Sequence, residues 1–227
     1  MLERIYMMLE KEKYIKLIKG NATEANVPLK LVTDLSVINK FEAENPNSPI
    51  GCISNEPFYT FRMDLYQNTN NNNVFRYCNV QYNKFGAASL VLFHTNEGIF
   101  ILLQKSYRPF INRYVYEIPR GFADLKKDNS PLHTAIRELC EETSIDISKL
   151  KSKIFKLGDI FTDTGLTNNS VSLYKIDIFI DSPLKLQNND INETISEHIL
   201  IPINDINRYI PQINDSFTLC ALCKALL

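Results

Sequence analysis

The segment Pro131-Leu-His-Thr-Ala-Ile-Arg-Glu-Leu-Cys-Glu-Glu-Thr143 is the best-marked element of the sequence. Ser130 suits a helix N-cap, and Pro131 suits the first helical position. The apolar residues recur at spacings of three and four, which predicts one buried face: Leu132, Ala135, Ile136 and Leu139. A helix over residues 131–143 is therefore predicted, packed on a core by this face.

Three glutamates share a neighbouring face of this helix. Glu138, Glu141 and Glu142 stand at i, i+3 and i+4, where like charges destabilise a helix by a few tenths of a kcal/mol per pair. Arg137, four residues before Glu141, neutralises part of this charge. A hard divalent cation such as Mg²⁺ prefers oxygen ligands of this kind, whereas the plainer alternative is a solvated acidic face. The pattern thus indicates a candidate cation site.

The surrounding residues resemble the signature of the Nudix hydrolases, G-x5-E-x7-R-E-U-x-E-E-x-G-U with U apolar. Seven positions match it: Gly121, Arg137, Glu138, Leu139, Glu141, Glu142 and Ile145. The interval from Gly121 to Arg137 is two residues longer than in the family, and counting back from Arg137 puts Asn129 at the first glutamate. Ser144 replaces the final glycine, so we expect it to adopt a left-handed conformation if the family's helix end is retained.

The resemblance covers about residues 55–227 and implies an α/β (α+β) fold, a Nudix-type mixed-sheet α/β/α sandwich with a small N-terminal extension of helices or strands. We place the extension at residues 1–50, with helices over 2–19 and from Asp34, and the Nudix domain at 51–227. Alternating and apolar patterns predict strands over residues 58–66, 74–82, 87–93, 99–105, 153–160, 170–180 and 198–203, and a closing helix over 215–227.

Further segments resemble the ADP-ribose pyrophosphatase branch of that family. They are residues 104–109 (QKSYRP), 117–124 (EIPRGFAD), 157–167 (LGDIFTDTGLT) and 217–222 (FTLCAL). The resemblance implies hydrolysis of the diphosphate linkage of a nucleoside diphosphate derivative, ADP-ribose giving AMP and ribose 5-phosphate. Many members have Ser-Pro-Gly where this chain has Asp163-Thr164-Gly165.

The resemblance also implies which residues bind the metal. Glu138 and Glu142 are the expected core ligands, together with the backbone carbonyl of Arg120, and Glu141 is an additional or alternating ligand. Mg²⁺ is the expected cofactor, with Mn²⁺ as a substitute, and the ion would activate the attacking water. Arg137 of the same motif belongs to the expected catalytic set.

A general base must reach that water, and the branch takes it from a loop after the motif. Glu193 and Glu197 are the candidates there, and Glu141 is the runner-up. Arg108 and Arg120 are candidates for binding the diphosphate through charge-assisted hydrogen bonds, although an ordinary salt bridge is an equal alternative for each.

Composition limits the other partners of the protein. The 25 Lys and Arg residues nearly balance the 26 Asp and Glu residues, so no broad basic surface for nucleic acid or membrane is predicted. The longest apolar runs fall far short of the roughly 20 residues that span a bilayer. Five irregularly spaced cysteines, without an export signal, indicate free thiols and a cytoplasmic location.

Two other functional hypotheses remain open. A Nudix-like sensor would bind ADP-ribose or a related nucleotide without cutting it, the longer loop having removed catalysis. The first 50 residues could instead recruit a protein partner or form a homodimer.

Overall fold

A computed structural model describes residues 2–19, 27–181, 186–187 and 194–226, and its description of side chains in the first segment begins at residue 10. The chain divides into two compact units, Met1–Asn83 with Asp163–Asn168, and Lys84–Thr162 with Asn169–Leu227. The predicted boundary after residue 50 lies inside the first unit, because the strand 51–55 pairs with the strand 59–68 of the same unit.

In its described residues, the first unit combines two helices with a four-stranded antiparallel sheet. Its elements are α1 (Leu2–Lys19), β1 (Leu29–Leu31), α2 (Leu35–Glu44), β2 (Gly51–Asn55), β3 (Tyr59–Asn68) and β4 (Val74–Tyr82). Both predicted helices and the predicted hairpin of β3 and β4 are present. Asp34 caps α2 by accepting a hydrogen bond from the Ser36 amide at 2.8 Å. The short strands β1 and β2, which the sequence pattern did not predict, share the other edge of β3.

The core of this unit lies between α1, α2 and the sheet. Tyr14 and Ile18 of α1 are buried with Ile38 of α2 and Leu65 of β3. The Tyr14 hydroxyl donates to the buried carboxylate of Asp64 at 2.9 Å. The first helix is therefore fixed to its sheet by one apolar face and one buried hydrogen bond.

The second unit contains the remaining strands and helices. They are β5 (Gly86–Thr95), β6 (Gly98–Arg108), β7 (Arg113–Glu117), β8 (Arg120–Phe122), α3 (Pro131–Thr143), β9 (Lys151–Phe161), β10 (Ser170–Phe179), β11 (Ile195–Pro202), α4 (Ile206–Tyr209) and α5 (Ser216–Leu226). The central order is β11-β6-β5-β10-β9. Among the described strands of this sheet, only the pair β10 and β5 is parallel, so the sheet is mixed, as predicted.

Helices cover both faces of this sheet. On one face Leu139 of α3 packs against Val91, Leu102 and Ile176. On the other face α5 contributes to a cluster that includes the strand residues Leu90, Leu103 and Leu173. The α/β/α sandwich is confirmed. Among the described residues, no helix has both the length and the apolar character that crossing a bilayer requires.

The hairpin of β5 and β6 opens toward the candidate site. The two strands pair only over Leu92–Thr95 and Gly98–Ile101. Beyond this point β8 pairs with the start of β5, and β7 pairs with the end of β6. We call Glu117-Ile-Pro-Arg120, which joins β7 to β8, the 117–120 turn. The Pro119 carbonyl accepts a hydrogen bond from the Ser89 amide at 2.9 Å, which fixes the turn to β5.

Candidate active site

The helix α3 carries the three glutamates singled out from the sequence. Its N-terminus is capped as predicted, since Ser130 Oγ accepts a hydrogen bond from the His133 amide at 3.3 Å. Its last turn ends at Ser144, whose φ of 64° and ψ of 14° are left-handed. The expected conformation of Ser144 is therefore confirmed, and a non-glycine residue occupies a position that favours glycine.

Glu142 is the most buried of the three glutamates, with 1% of its surface exposed. Its Oε2 atom accepts hydrogen bonds from Gln104 Nε2 at 3.0 Å and from the Arg120 amide at 3.2 Å. His198 Nε2 lies 2.9 Å from the Glu142 backbone carbonyl. Contacts from β6, β8 and β11 therefore fix this carboxylate and its backbone.

Glu138 packs directly against the backbone of Gly121. A Cβ atom at Gly121 would overlap both carboxylate oxygens of Glu138, so the carboxylate would have to move. Glycine at this position thus leaves the space that the carboxylate fills. This contact gives a structural reason for the glycine of the motif in this chain.

Arg137 connects the carboxylates of this region. Its Nη1 atom donates to Glu141 Oε2 at 2.6 Å, and its Nη2 atom donates to Glu138 Oε1 at 2.8 Å and to the Phe122 carbonyl at 2.9 Å. Burial lowers the pKa of Arg137, but the hydrogen bond to Asp128, the charge of Glu138 and the hydrogen bonds to Glu141 and Glu138 outweigh it and raise the pKa above its ordinary value. The guanidinium is therefore a permanent positive charge at this site.

Asp128 is the principal partner of Arg137 and was not singled out from the sequence. Its carboxylate accepts hydrogen bonds from Arg137 Nε and Nη2, from Thr134 Oγ1 and from the Asp124 amide. Asn129, which the count along the motif selected, is exposed. One signal in the sequence could have identified Asp128: it is an acidic residue directly before Asn129, and the loop is two residues longer than the motif, so the count along the motif can be off by one.

Arg108 and Arg120 both contact the buried carboxylate of Glu117. Arg108 donates to it through Nη2 at 2.6 Å and Nε at 3.1 Å, and Arg120 Nη2 lies 3.0 Å from Glu117 Oε2. Arg120 also pairs with Asp215 and stacks on the ring of Phe217. Both arginines thus form salt bridges within the protein, which was the alternative interpretation. Glu117, Asp215 and Phe217 had no role assigned from the sequence.

The candidate bases lie in different situations. Glu193 lies outside the described residues. Glu197 is exposed on β11 opposite Lys105, whereas the next residue, His198, lies opposite Gln104. Neighbouring side chains of a strand point to opposite faces of the sheet. His198 points toward Glu142, so Glu197 points to the opposite face. Because β11 is an edge strand, Glu197 and His198 still both border an open cleft of about 380 Å³.

The oxygen atoms of this site are candidate metal ligands. In the described ranges, no three His, Cys, Asp or Glu side chains already stand together as a metal-binding cluster. Glu138 and Glu141 instead form ion pairs with Arg137. The carboxylate oxygens of Glu138 and Glu142 and the Arg120 backbone nevertheless occupy one neighbourhood, and oxygen donors are those that hard divalent cations prefer.

Comparisons with known proteins give a family match and two named relatives. A family model described as the NUDIX domain matches residues 84–216. The ADP-ribose pyrophosphatase of Bacillus subtilis is 35% identical over 91 residues, which cover 40% of this chain and 45% of that protein. The ADP-ribose pyrophosphatase of Saccharomyces cerevisiae is 35% identical over 83 residues, or 37% and 33% of the two chains. Each match spans less than half of the relative.

A solved structure has the same fold. The crystal structure of an ADP compounds hydrolase superimposes with a TM-score of 0.59 at 13% sequence identity, over 89% of this chain and 94% of that chain. At this identity the likeness concerns the fold alone. The match to residues 84–216 and this likeness in fold are both consistent with the mixed sheet that has α3 and α5 on its two faces.

Proposed function

The chain belongs to the Nudix family, and from this premise we propose that it hydrolyses the diphosphate linkage of ADP-ribose to give AMP and ribose 5-phosphate. Two curated relatives bear the name ADP-ribose pyrophosphatase, which supports this substrate. Segments of the second unit that resemble that branch, among them residues 104–109 and 117–124, support it as well.

The proposed cofactor is Mg²⁺, with Mn²⁺ as a substitute. Glu138, Glu142 and the Arg120 carbonyl would hold it, and Glu141 would be an additional ligand. The bound ion would neutralise charge on the diphosphate and lower the pKa of a water molecule. The donor chemistry supports this choice, because carboxylate and carbonyl oxygens suit a hard cation.

The protein's own residues have distinct proposed tasks. Gln104 and the Arg120 amide orient Glu142 through its Oε2 atom. Arg137 holds Glu138 and Glu141 through hydrogen bonds, and its fixed positive charge limits the repulsion between them. The glutamates would turn from Arg137 toward the cation when it binds. Arg137 therefore holds the two carboxylates close together beforehand.

We propose that one of three glutamates is the general base that accepts the proton of the attacking water. Glu141 lies on α3 with 37% of its side chain exposed, close to the proposed ligands. Glu197 borders the cleft beside β11, and Glu193 completes the set of candidates from the sequence. Arg108 and Arg120 stay proposed contacts of the diphosphate, for which each would have to share its guanidinium with Glu117. Replacing each of the three glutamates by Gln in turn and measuring kcat distinguishes them, because loss of the true base should lower kcat most.

One observation carries the proposal. The carboxylate of Glu138 fills the space that Gly121 leaves, within hydrogen-bonding range of the motif's arginine, while Glu142 is fixed from β6 and β8. This arrangement brings together the glycine, arginine and two glutamates of the family motif, although they are separated by up to 21 residues in the chain. It supports a working site despite the longer loop.

The test is an assay of product formation. We would incubate the wild-type protein and Mg²⁺ with ADP-ribose, nucleotide sugars, dinucleotides and capped RNA, and separate the products by chromatography. We expect AMP and ribose 5-phosphate from ADP-ribose, and a loss of at least about 100-fold in kcat for Glu142→Gln, because metal-ion catalysis depends on its ligands. Glu97→Gln, in the exposed turn between β5 and β6, is the matched control.

The same assay separates the enzyme from the sensor. If calorimetry detects ADP-ribose binding while no substrate of the panel is cut with Mg²⁺ or Mn²⁺, the sensor hypothesis replaces ours. Cleavage of a different substrate of the panel would retain the hydrolase and correct its specificity.

We also propose a cytoplasmic homodimer. Light scattering of the full chain tests the oligomeric state, and fractionation of cells tests the location. A monomeric mass at all concentrations would contradict the dimer. The N-terminal residues 1–50 stay a proposed extension whose role in assembly the same measurement addresses.

A further inference from the structure

The N-terminus of α5 contacts the 117–120 turn through two of its residues. Asp215 precedes the helix, and Thr218 lies in its first turn. Both are held together, because the Asp215 carboxylate accepts hydrogen bonds from the Thr218 amide at 2.9 Å and from the Thr218 hydroxyl at 2.8 Å. Asp215 thus caps α5, and its second oxygen faces elsewhere.

Thr218 supplies a hydrogen-bond acceptor to the turn. The hydroxyl oxygen accepts a hydrogen bond from the Ile118 amide at 3.0 Å, and both residues are fully buried. Ile118 lies between β7 and β8, outside both strands, so its amide requires a partner from another element. The hydroxyl donates to Asp215 and accepts from Ile118, so both of its hydrogen-bonding capacities serve this contact.

The side chain of Arg120 forms the second connection. Its Nη2 atom lies 3.1 Å from Asp215 Oδ1 and 3.0 Å from Glu117 Oε2. The centre of its guanidinium lies 4.5 Å from the centroid of the Phe217 ring. Two carboxylates and one aromatic face therefore fix the guanidinium against α5, leaving 20% of the side chain exposed.

The backbone of this same residue faces the metal-site glutamate. The Arg120 amide donates to Glu142 Oε2, and the Arg120 carbonyl is a proposed ligand. Because the side chain and the backbone of one residue are both fixed, a shift of the α5 N-terminus would move the turn relative to Glu142. Contacts behind the ligands of a metal commonly alter its affinity by about 10- to 100-fold.

We infer that Asp215 and Thr218 are positioning residues for the metal site. They act through the 117–120 turn and do not touch the substrate, and the inference rests on the proposed function. The closing helix α5 is therefore part of the site's supporting structure as well as of the core. Loss of either contact should lower the affinity for the cation, while the fold of the second unit is kept.

The experiment measures Mn²⁺ binding to the full chain in the absence of substrate, by electron paramagnetic resonance of the free ion. Thr218→Val removes the hydroxyl at nearly constant volume, and Thr218→Ser restores it. Asp215→Asn removes the charge that faces Arg120 but keeps an oxygen for the helix cap. Asp205→Asn is the matched control, because Asp205 forms an exposed ion pair with Arg208.

We expect the Mn²⁺ dissociation constant to rise by about 10-fold or more for Thr218→Val and Asp215→Asn, and to stay within twofold of the wild-type value for the other two variants. In turnover assays the half-saturating Mg²⁺ concentration should rise in parallel. Circular dichroism verifies that each variant is folded. If Thr218→Val does not fold, the Mn²⁺ affinity of Asp215→Asn alone tests the inference.

The failures are distinguishable. Wild-type protein that neither binds Mn²⁺ nor cuts any substrate overturns the proposed function, and this inference with it. Wild-type protein that does both, with Thr218→Val and Asp215→Asn binding Mn²⁺ as tightly, overturns this inference alone.

Discussion

Arg137 binds the carboxylate of Asp128 through its Nε and Nη2 atoms at distances of 2.9 to 3.2 Å. Asp128 is almost completely buried, and the Thr134 hydroxyl and the Asp124 amide donate to the same carboxylate. The loop that is two residues longer than the family motif therefore still delivers an acid to this arginine. The pairing orients the guanidinium that holds Glu138 and Glu141.

Asp128→Asn tests this relationship. Burial would raise the pKa of Asp128, but hydrogen bonds from Arg137 and Thr134 and from the Asp124 amide outweigh it, so the net shift is downward. The ion pair therefore stabilises the fold above a pH of about 4, and its contribution is lost as the pH falls through the lowered pKa. We expect Asp128→Asn to reduce the free energy of unfolding at pH 7 by about 1–3 kcal/mol, measured by urea denaturation.

Asn129→Ala is the control for that measurement. Asn129 is exposed beside Asp128, and we expect a change within about 0.5 kcal/mol. If Asn129→Ala reduced the free energy of unfolding more than Asp128→Asn did, Asp128 would not be the residue that stabilises this loop.

Gly121→Ala tests the contact between the glycine and Glu138. The added methyl group would overlap the carboxylate, so we expect a loss of about 1–3 kcal/mol in unfolding free energy and a large loss of hydrolysis. In the Glu138→Ala background the overlap disappears, and Gly121→Ala should cost much less stability. A double-mutant cycle quantifies this coupling, and an interaction energy near zero would contradict the contact.

His198 gives the fold a dependence on pH. Burial lowers the pKa of His198 below its ordinary value of 6.5, and the hydrogen bond to the Glu142 carbonyl offsets this only in part. As the pH falls below 6.5 the unfolded chain binds the proton more readily than the folded chain, so stability decreases toward the lowered pKa. We expect a smaller decrease between pH 7 and 5 for His198→Gln than for the wild type.

The matched control for this titration is His133→Gln, at an exposed position in the first turn of α3. Its stability profile should follow that of the wild type. Equal slopes for His198→Gln and the wild type would show that His198 contributes nothing to the pH dependence.

Ser144→Gly tests the left-handed end of α3. A non-glycine residue at a φ of 64° is strained, so glycine should raise the free energy of unfolding by about 0.5–1 kcal/mol. The Ser144 hydroxyl donates to the Gln187 carbonyl, and Ser144→Ala removes this bond while keeping the strain. We therefore expect stability in the order Gly above Ser above Ala, measured by thermal unfolding. Glycine that is no more stable than alanine would contradict the strain.

Local signals made much of the fold predictable. Ser130 and Pro131 mark the start of α3, and the turn before Gly98 separates two apolar strands. The strands β7 and β8 were not predicted, because they contain only five and three residues. These two strands pair with β5 and β6 where β5 and β6 no longer pair with each other, and no local sequence pattern predicts that point.

The candidate site was predictable where the motif is intact. Glu138 lies against Gly121, and Glu142 accepts a hydrogen bond from the neighbouring Arg120 amide, so the motif singled out residues of one region; their role as metal ligands stays a prediction. Asp128 was missed because the inserted residues break the fixed count, so only the folded loop shows which acid meets Arg137. The partners of Arg120 were missed because Asp215 lies 95 residues later in the chain, and the contact depends on the packing of α5.

The most direct test of the account is anomalous X-ray diffraction from crystals of the protein grown with Mn²⁺ and ADP-ribose. We predict an anomalous peak that the carboxylates of Glu138 and Glu142 and the Arg120 carbonyl all coordinate at about 2.0–2.6 Å, the range for hard cations with oxygen ligands. Bound ADP-ribose or AMP with no anomalous peak at these residues, or a peak that none of them coordinates, would contradict the central claim.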